Sequence, residues 1–120
     1  MTVFRAVPLT LHGALEVIAA PAIVAAPLAL GLGEATSIVA FVIGVLLLGH
    51  ALSIYGDGRR AVPLSAHAGF DYLLAIAAMV SGVAIGIATG EGAAAVFLVG
   101  VGVAQMALTA STRFSVPRGA

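Results

Sequence analysis

Arg5-Ala6-Val7-Pro8-Leu9-Thr10-Leu11-His12 returns, little changed, as Arg60-Ala61-Val62-Pro63-Leu64-Ser65-Ala66-His67, and each copy leads into a long apolar run that carries one acid, Glu16 or Asp71. The step from Arg5 to Arg60 is 55 residues, so the phrase marks the start of two units, about 5–55 and 60–113, within a single domain covering 1–120. Four apolar stretches follow one another: Leu9 to Leu32, Ala35 to Tyr55, Ser65 to Thr89 and Ala93 to Thr112. Each has roughly the 20 residues that cross a hydrocarbon core about 30 Å thick at about 1.5 Å per helical residue. The runs are continuous, not alternating, and rich in Ala, Leu and Gly, which predicts helices and not barrel strands.

Composition agrees. Hydrophobic residues make up 62% of the chain and charged residues 8%, with a mean hydropathy of +1.20. That is more apolar surface than one small water-soluble core hides, so the lipid bilayer is the expected solvent. No cysteine is present, which excludes disulfides and thiolate metal sites. Net charge is zero and there is no basic patch, so nucleic acid is not an expected partner. The first span has the small residues of a secretory signal, but it is longer than a signal core and its register returns in the third span, so it is read as part of the fold.

All five basic residues are arginines, and they fall on one side of a four-span arrangement: Arg5, then Arg59 and Arg60, then Arg113 and Arg118. The opposite connections carry Glu34 and Glu91 and no base. The positive-inside rule then predicts a multi-pass protein with both termini and the central loop in the cytoplasm. The central segment Tyr55-Gly56-Asp57-Gly58-Arg59-Arg60 and the outer segments Gly31-Leu32-Gly33-Glu34 and Thr89-Gly90-Glu91-Gly92 have turn chemistry, and Pro8 and Pro63 are expected in the first helical turn.

At an offset of 55, His12 matches His67, Glu16 matches Asp71, Ala20 matches Ala75, Ala29 matches Ala84 and Gly31 matches Gly86. Beyond the outer connection an offset of 57 pairs Gly33-Glu34 with Gly90-Glu91 and Val39 with Val96, His50 with Ala107, and Leu48 with Gln105. Each unit crosses twice, so the copies share one orientation. The expected fold is therefore all-α: a membrane four-helix bundle of two same-orientation helical hairpins, related by a pseudo-two-fold axis along the membrane normal.

A His after a cytoplasmic lead-in, an acid four residues later, and the stretches Ala26-Pro27-Leu28-Ala29-Leu30-Gly31-Leu32 and Ser81-Gly82-Val83-Ala84-Ile85-Gly86-Ile87 together resemble the Ser-Pro-Trp (SPW) repeat family of small bacterial membrane proteins. The second lead-in, Val62-Pro63-Leu64-Ser65-Ala66-His67-Ala68-Gly69-Phe70-Asp71, looks similar too. The chain departs from the family in having no Trp, and Gly82 stands in place of the triplet's Pro. The resemblance covers nearly the whole chain. It implies a membrane repeat in a bacterial plasma membrane and brings no activity with it.

His12 and Glu16 are four residues apart and so share one face of the first helix, as His67 and Asp71 do on the third. A carboxylate this deep is costly unless paired, neutral or beside water, so both acids are expected to face the bundle interior. His50 on the second helix and Gln105 on the fourth extend the candidate cluster to His12, Glu16, His50, His67, Asp71 and Gln105. Three readings stay open. Glu16 pairs with His67 and Asp71 with His12, tying the repeats together; or the cluster is a ligand site, with His12, Glu16, His67 and Asp71 as metal ligands or two histidines on haem; or it relays protons in a transporter. For transport, Gly13-Ala14-Leu15-Glu16-Val17-Ile18 is loosely similar to the small multidrug transporters. No metal-binding spacing such as His-Glu-x-x-His occurs, and no cofactor is the leading expectation.

Ala78, Gly82, Gly86 and Gly90 recur every fourth residue and predict a helix-packing ridge on the third helix; Gly44, Gly49, Gly100 and Gly102 are expected at helix contacts. No catalytic residues are assigned and an enzyme is not expected, because no nucleophile is arranged beside the histidines. The leading expectation is structural or accessory work, as a homo-oligomer or a subunit of a membrane complex.

Overall fold

Pro8 and Pro63 each stand one residue before a helix, in extended conformation (φ −65°, ψ 151° and φ −59°, ψ 150°). They are N-caps and not first-turn residues: each lacks an N–H, and each carbonyl accepts the first intrahelical bond, from the backbone N–H of His12 (3.0 Å) and of His67 (2.9 Å). The computed structural model describes residues 5–55 and 63–114. Expectations that rest on Gly56, Asp57, Gly58, Arg59, Arg60 and Arg118 lie outside the described residues.

The described chain is all-helical, four helices packed as a bundle: α1 (Leu9–Leu30), α2 (Glu34–Leu52, prolonged by one 3-10 turn, Ser53–Tyr55), α3 (Leu64–Thr89) and α4 (Gly92–Ala110). All four are long and apolar enough to cross a membrane. Pro21 and Pro27 lie within α1 without ending it. Helix α1 stops at Gly31, which takes the left-handed conformation (φ 67°) that a side chain disfavours. There the N–H of Leu32 reaches the Pro27 carbonyl at 2.8 Å. Gly90 (φ 75°) ends α3 in the same manner. It is a cap and not the last step of the small-residue ridge.

What is inside and what is outside are reversed from a water-soluble bundle. The buried side chains include many small or polar ones, Ala20, Ala40, Ala75, Ala78, Ala94, His12, Glu16, His67 and Asp71 beside aliphatics such as Leu47 and Leu98, while Ile87, Val96, Leu28 and Ile18 are more than two-thirds exposed. An apolar exterior of this extent needs lipid around it. Small interior residues let the backbones close up. A Cβ on Gly44 would stand 3.0 Å from the Ala20 carbonyl oxygen of α1, and one on Gly102 would stand 2.5 Å from the Ala75 carbonyl oxygen of α3. Gly82 and Gly86 face α4 at Leu98 and Ala95, so the ridge on α3 is an internal seam; nothing lies within 4 Å of a Cβ at Gly49 or Gly100, which are not contact glycines.

Buried positions recur between the hairpins. Along α1 and α3, His12, Glu16, Ala20, Ile23 and Pro27 correspond at an offset of 55 to His67, Asp71, Ala75, Ala78 and Gly82. Along α2 and α4 the offset is 58: Thr36, Ala40, Gly44, Leu47 and Ala51 correspond to Ala94, Leu98, Gly102, Gln105 and Thr109. The expected offset of 57 fails, since it would set each of these five buried α2 residues against one of Ala93, Phe97, Val101, Ala104 and Leu108, none of them buried. Matching the loop letters Gly-Glu misplaced the register by one residue. In burial pattern His50 then falls opposite Leu108, and Gln105 opposite Leu47.

Candidate functional site

Each hairpin is tightly packed within itself, and the two meet mainly where α2 lies against α3. Diagonally opposite, α1 and α3 keep their backbones apart, with no Cα of one within 8 Å of a Cα of the other among the described residues. Long polar side chains fill that gap. The i, i+4 spacing sets His12 above Glu16 on α1 and His67 above Asp71 on α3, and all four are at most 2% exposed.

Proton bookkeeping begins at Thr112. Its hydroxyl donates to the Leu108 carbonyl (2.6 Å), so its oxygen accepts from Nδ1–H of His12 (2.8 Å). With Nδ1 carrying a proton, His12 Nε2 faces two carboxylate oxygens, Asp71 Oδ2 at 2.9 Å and Glu16 Oε1 at 3.0 Å. In a neutral imidazole this Nε2 would be a lone pair set against two acceptors. Something must therefore bridge these atoms: a proton shared between Nε2 and a carboxyl, chiefly that of Asp71, or a metal ion.

The second imidazole is placed differently. His67 Nε2 lies 3.3 Å from Asp71 Oδ2 and 3.8 Å from Glu16 Oε1, and it makes no hydrogen bond. Of the two expected pairs, His12 with Asp71 is formed at 2.9 Å, while His67 and Glu16 stand at ion-pair distance (3.8 Å) with no hydrogen bond between them. Instead Glu16 Oε2 accepts a short bond from the Gln105 amide of α4 (2.5 Å), which leaves Oε1 without a hydrogen-bond partner. His50 stacks flat on His67 (ring centroids 3.5 Å, 19° between planes), and its Nε2–H donates to the His67 carbonyl at 3.0 Å, with Asp71 Oδ1 at 3.5 Å. All four helices contribute to the centre.

Two participants had no signal in the sequence. Thr112 lies just past α4 and is positioned by a short parallel bridge to Val7, in which the N–H of Val7 donates to Ser111 (3.0 Å) and the N–H of Arg113 donates to Val7 (2.9 Å). Phe114, two residues on, sets its ring edge-on to His12 (centroids 5.1 Å apart). The hydroxyl of Tyr55 donates to the Thr10 carbonyl (2.7 Å), tying the end of α2 to α1. Tyr72 is not among the partners of the cluster.

Beside the Glu16–Gln105 bond lies an apolar cleft of about 670 Å³ between α1 and α4, walled by residues such as Ala22, Ile23, Phe97 and Val101. At the far end of the bundle the outer connections meet, where Gly33 N–H donates to Glu91 Oε1 at 3.2 Å. Compared with protein-family models, with curated proteins and with solved structures, the chain finds no match. The chemistry of the centre is consequently read from its own atoms: it can join helices, hold a cation, or pass a proton between imidazole and carboxylate.

Proposed function

We propose that this chain is a four-span integral membrane protein of a bacterial plasma membrane, with both termini cytoplasmic, that does structural or accessory work by associating with itself or serving as a subunit of a larger membrane complex. The observation that carries this reading is how few of the described residues lie outside the helices. Among the described residues only Arg5–Pro8, Gly31–Gly33, Pro63, Gly90–Glu91 and Ser111–Phe114 lie outside helical turns. Its apolar flanks are what such a protein has to act with. The cleft between α1 and α4 supports the same reading, because it offers a neighbouring helix a place to pack within the lipid. The arginine distribution supports the orientation, and the recurrence of buried positions at 55 and 58 residues supports a duplicated hairpin of the SPW-repeat type.

Cross-linking in native membranes, followed by native mass measurement in a mild detergent, tests the proposal. A discrete oligomer or a stoichiometric co-purifying membrane protein is expected. A monomer alone in both experiments contradicts it.

A further inference from the structure

Beyond that structural role, we infer that His12, Glu16, His67 and Asp71 form a binding site for one divalent transition-metal ion of the zinc type. Each residue offers one ligand atom, and the four atoms lie within 4.8 Å of one another. Zinc bonds to imidazole nitrogen and carboxylate oxygen are about 2.1 Å long, so the edge of a tetrahedral ligand set is about 3.4 Å. The four nitrogen-to-oxygen edges here are 2.9, 3.0, 3.3 and 3.8 Å, on both sides of that length.

The outer contacts of two of the ligands, His12 and Glu16, fit the same chemistry, while Asp71 Oδ1 has no hydrogen-bond partner. A metal-bound imidazole donates its other N–H to an oxygen, and a metal-bound carboxylate is itself held by hydrogen bonds. His12 donates Nδ1–H to Thr112, and Glu16 takes the Gln105 amide on Oε2. These bonds use the far atom of each side chain and leave the near one, Nε2 or Oε1, turned toward the centre. His67 Nε2 and Glu16 Oε1 are buried there with no hydrogen-bond partner, an arrangement that costs free energy unless something else is bound.

Charge and donor type select the ion. Two carboxylates with two neutral imidazoles need two positive charges to become neutral, and neutrality matters most in a low-dielectric interior. Two nitrogens among four ligands disfavour Mg²⁺ and Ca²⁺, which take six or more oxygens, and favour a borderline ion such as Zn²⁺. Haem does not fit. Asp71 Oδ2 lies 2.9 Å from one imidazole and 3.3 Å from the other, which leaves no slot for a porphyrin plane between them.

The full chain, carrying an affinity tag without histidine, would be purified in mild detergent, stripped with a chelator and titrated with Co²⁺ and separately with Zn²⁺. One Co²⁺ per chain is expected, with the intense visible absorption of tetrahedral Co²⁺, abolished when one equivalent of Zn²⁺ is added. His67→Gln should weaken binding at least about tenfold, and Thr112→Val, which removes no ligand but the support of His12 together with the bond to the Leu108 carbonyl, by about 10- to 100-fold. Gly100→Ala, at a position where a Cβ meets nothing within 4 Å, should keep the stoichiometry. Helical circular dichroism and a single gel-filtration peak would establish that each variant is folded, and Thr112→Val decides the matter if His67→Gln is not. Failure to bind one ion per chain, an octahedral Co²⁺ spectrum, or unchanged affinity in folded His67→Gln or Thr112→Val would overturn the inference and leave a centre held by protons alone.

Discussion

Asp71→Ala is expected to cost the fold about 3–5 kcal/mol, the penalty for leaving a buried ionic partner uncompensated. Asp71 Oδ2 is the acceptor for His12 Nε2 and the closest anion to His67 Nε2, and Oδ1 is the nearest carboxylate oxygen to His50. Without this carboxylate, three imidazoles surround Glu16 alone, away from water. Asp71→Asn keeps the shape and one acceptor, so its loss should be smaller, about 1–3 kcal/mol. Removing a pair together, His12→Leu with Asp71→Leu, should cost less than Asp71→Ala, because His12 is then not left as an uncompensated buried partner. Reversible unfolding of the four proteins in mixed micelles measures all of this. An Asp71→Ala protein within about 1 kcal/mol of the wild type would mean that the centre contributes nothing to the bundle.

Gly102→Val should be at least as damaging, through packing and not charge. The Cβ alone would be driven to 2.5 Å from the Ala75 carbonyl oxygen and 3.2 Å from the Met79 backbone nitrogen, and backbone atoms have no rotamer with which to yield. Helices α3 and α4 must then separate along a seam that runs through Gly82 and Gly86, with an overpacking cost of about 3 kcal/mol or more. Gly100→Ala, two residues away on the same helix, is the control. It meets nothing within 4 Å, so gaining a better helix former should be neutral or stabilising by up to about 1 kcal/mol. Equal loss at the two positions would contradict the close approach at Gly102.

The four helices were legible because each apolar run is as long as a bilayer is thick, a constraint written in consecutive residues. The shared face of His12 with Glu16, and of His67 with Asp71, was legible because it follows from helical spacing alone. Across the bundle, the His12–Asp71 pair was legible from the repeat, but the hydrogen-bond donor to Glu16 was not. The choice of Gln105 over His67 for Glu16 depends on how closely α1 and α4 approach beside their cleft, which is set by packing of small residues and leaves no periodic trace. Thr112 and Phe114 fall outside any amphipathic pattern and reach the centre only because the end of α4 pairs with Val7. The repeat register slipped for a related reason: Gly33-Glu34 and Gly90-Glu91 match as letters, but Glu34 starts α2 while Glu91 precedes α4.

Burial of Glu16 and Asp71 against each other at one end of a membrane bundle requires the two hairpins to be inserted the same way up. The chain has no cysteine, so single cysteines can report this directly. Glu34→Cys, Glu91→Cys and Arg113→Cys would be exposed to a membrane-impermeant maleimide, first in intact spheroplasts and then after permeabilisation. Cysteines replacing Glu34 and Glu91 should both react in intact spheroplasts, and the one replacing Arg113 only after permeabilisation. Reaction at positions 34 and 91 from opposite faces would put Glu16 and Asp71 at opposite ends of the membrane and contradict the shared polar centre.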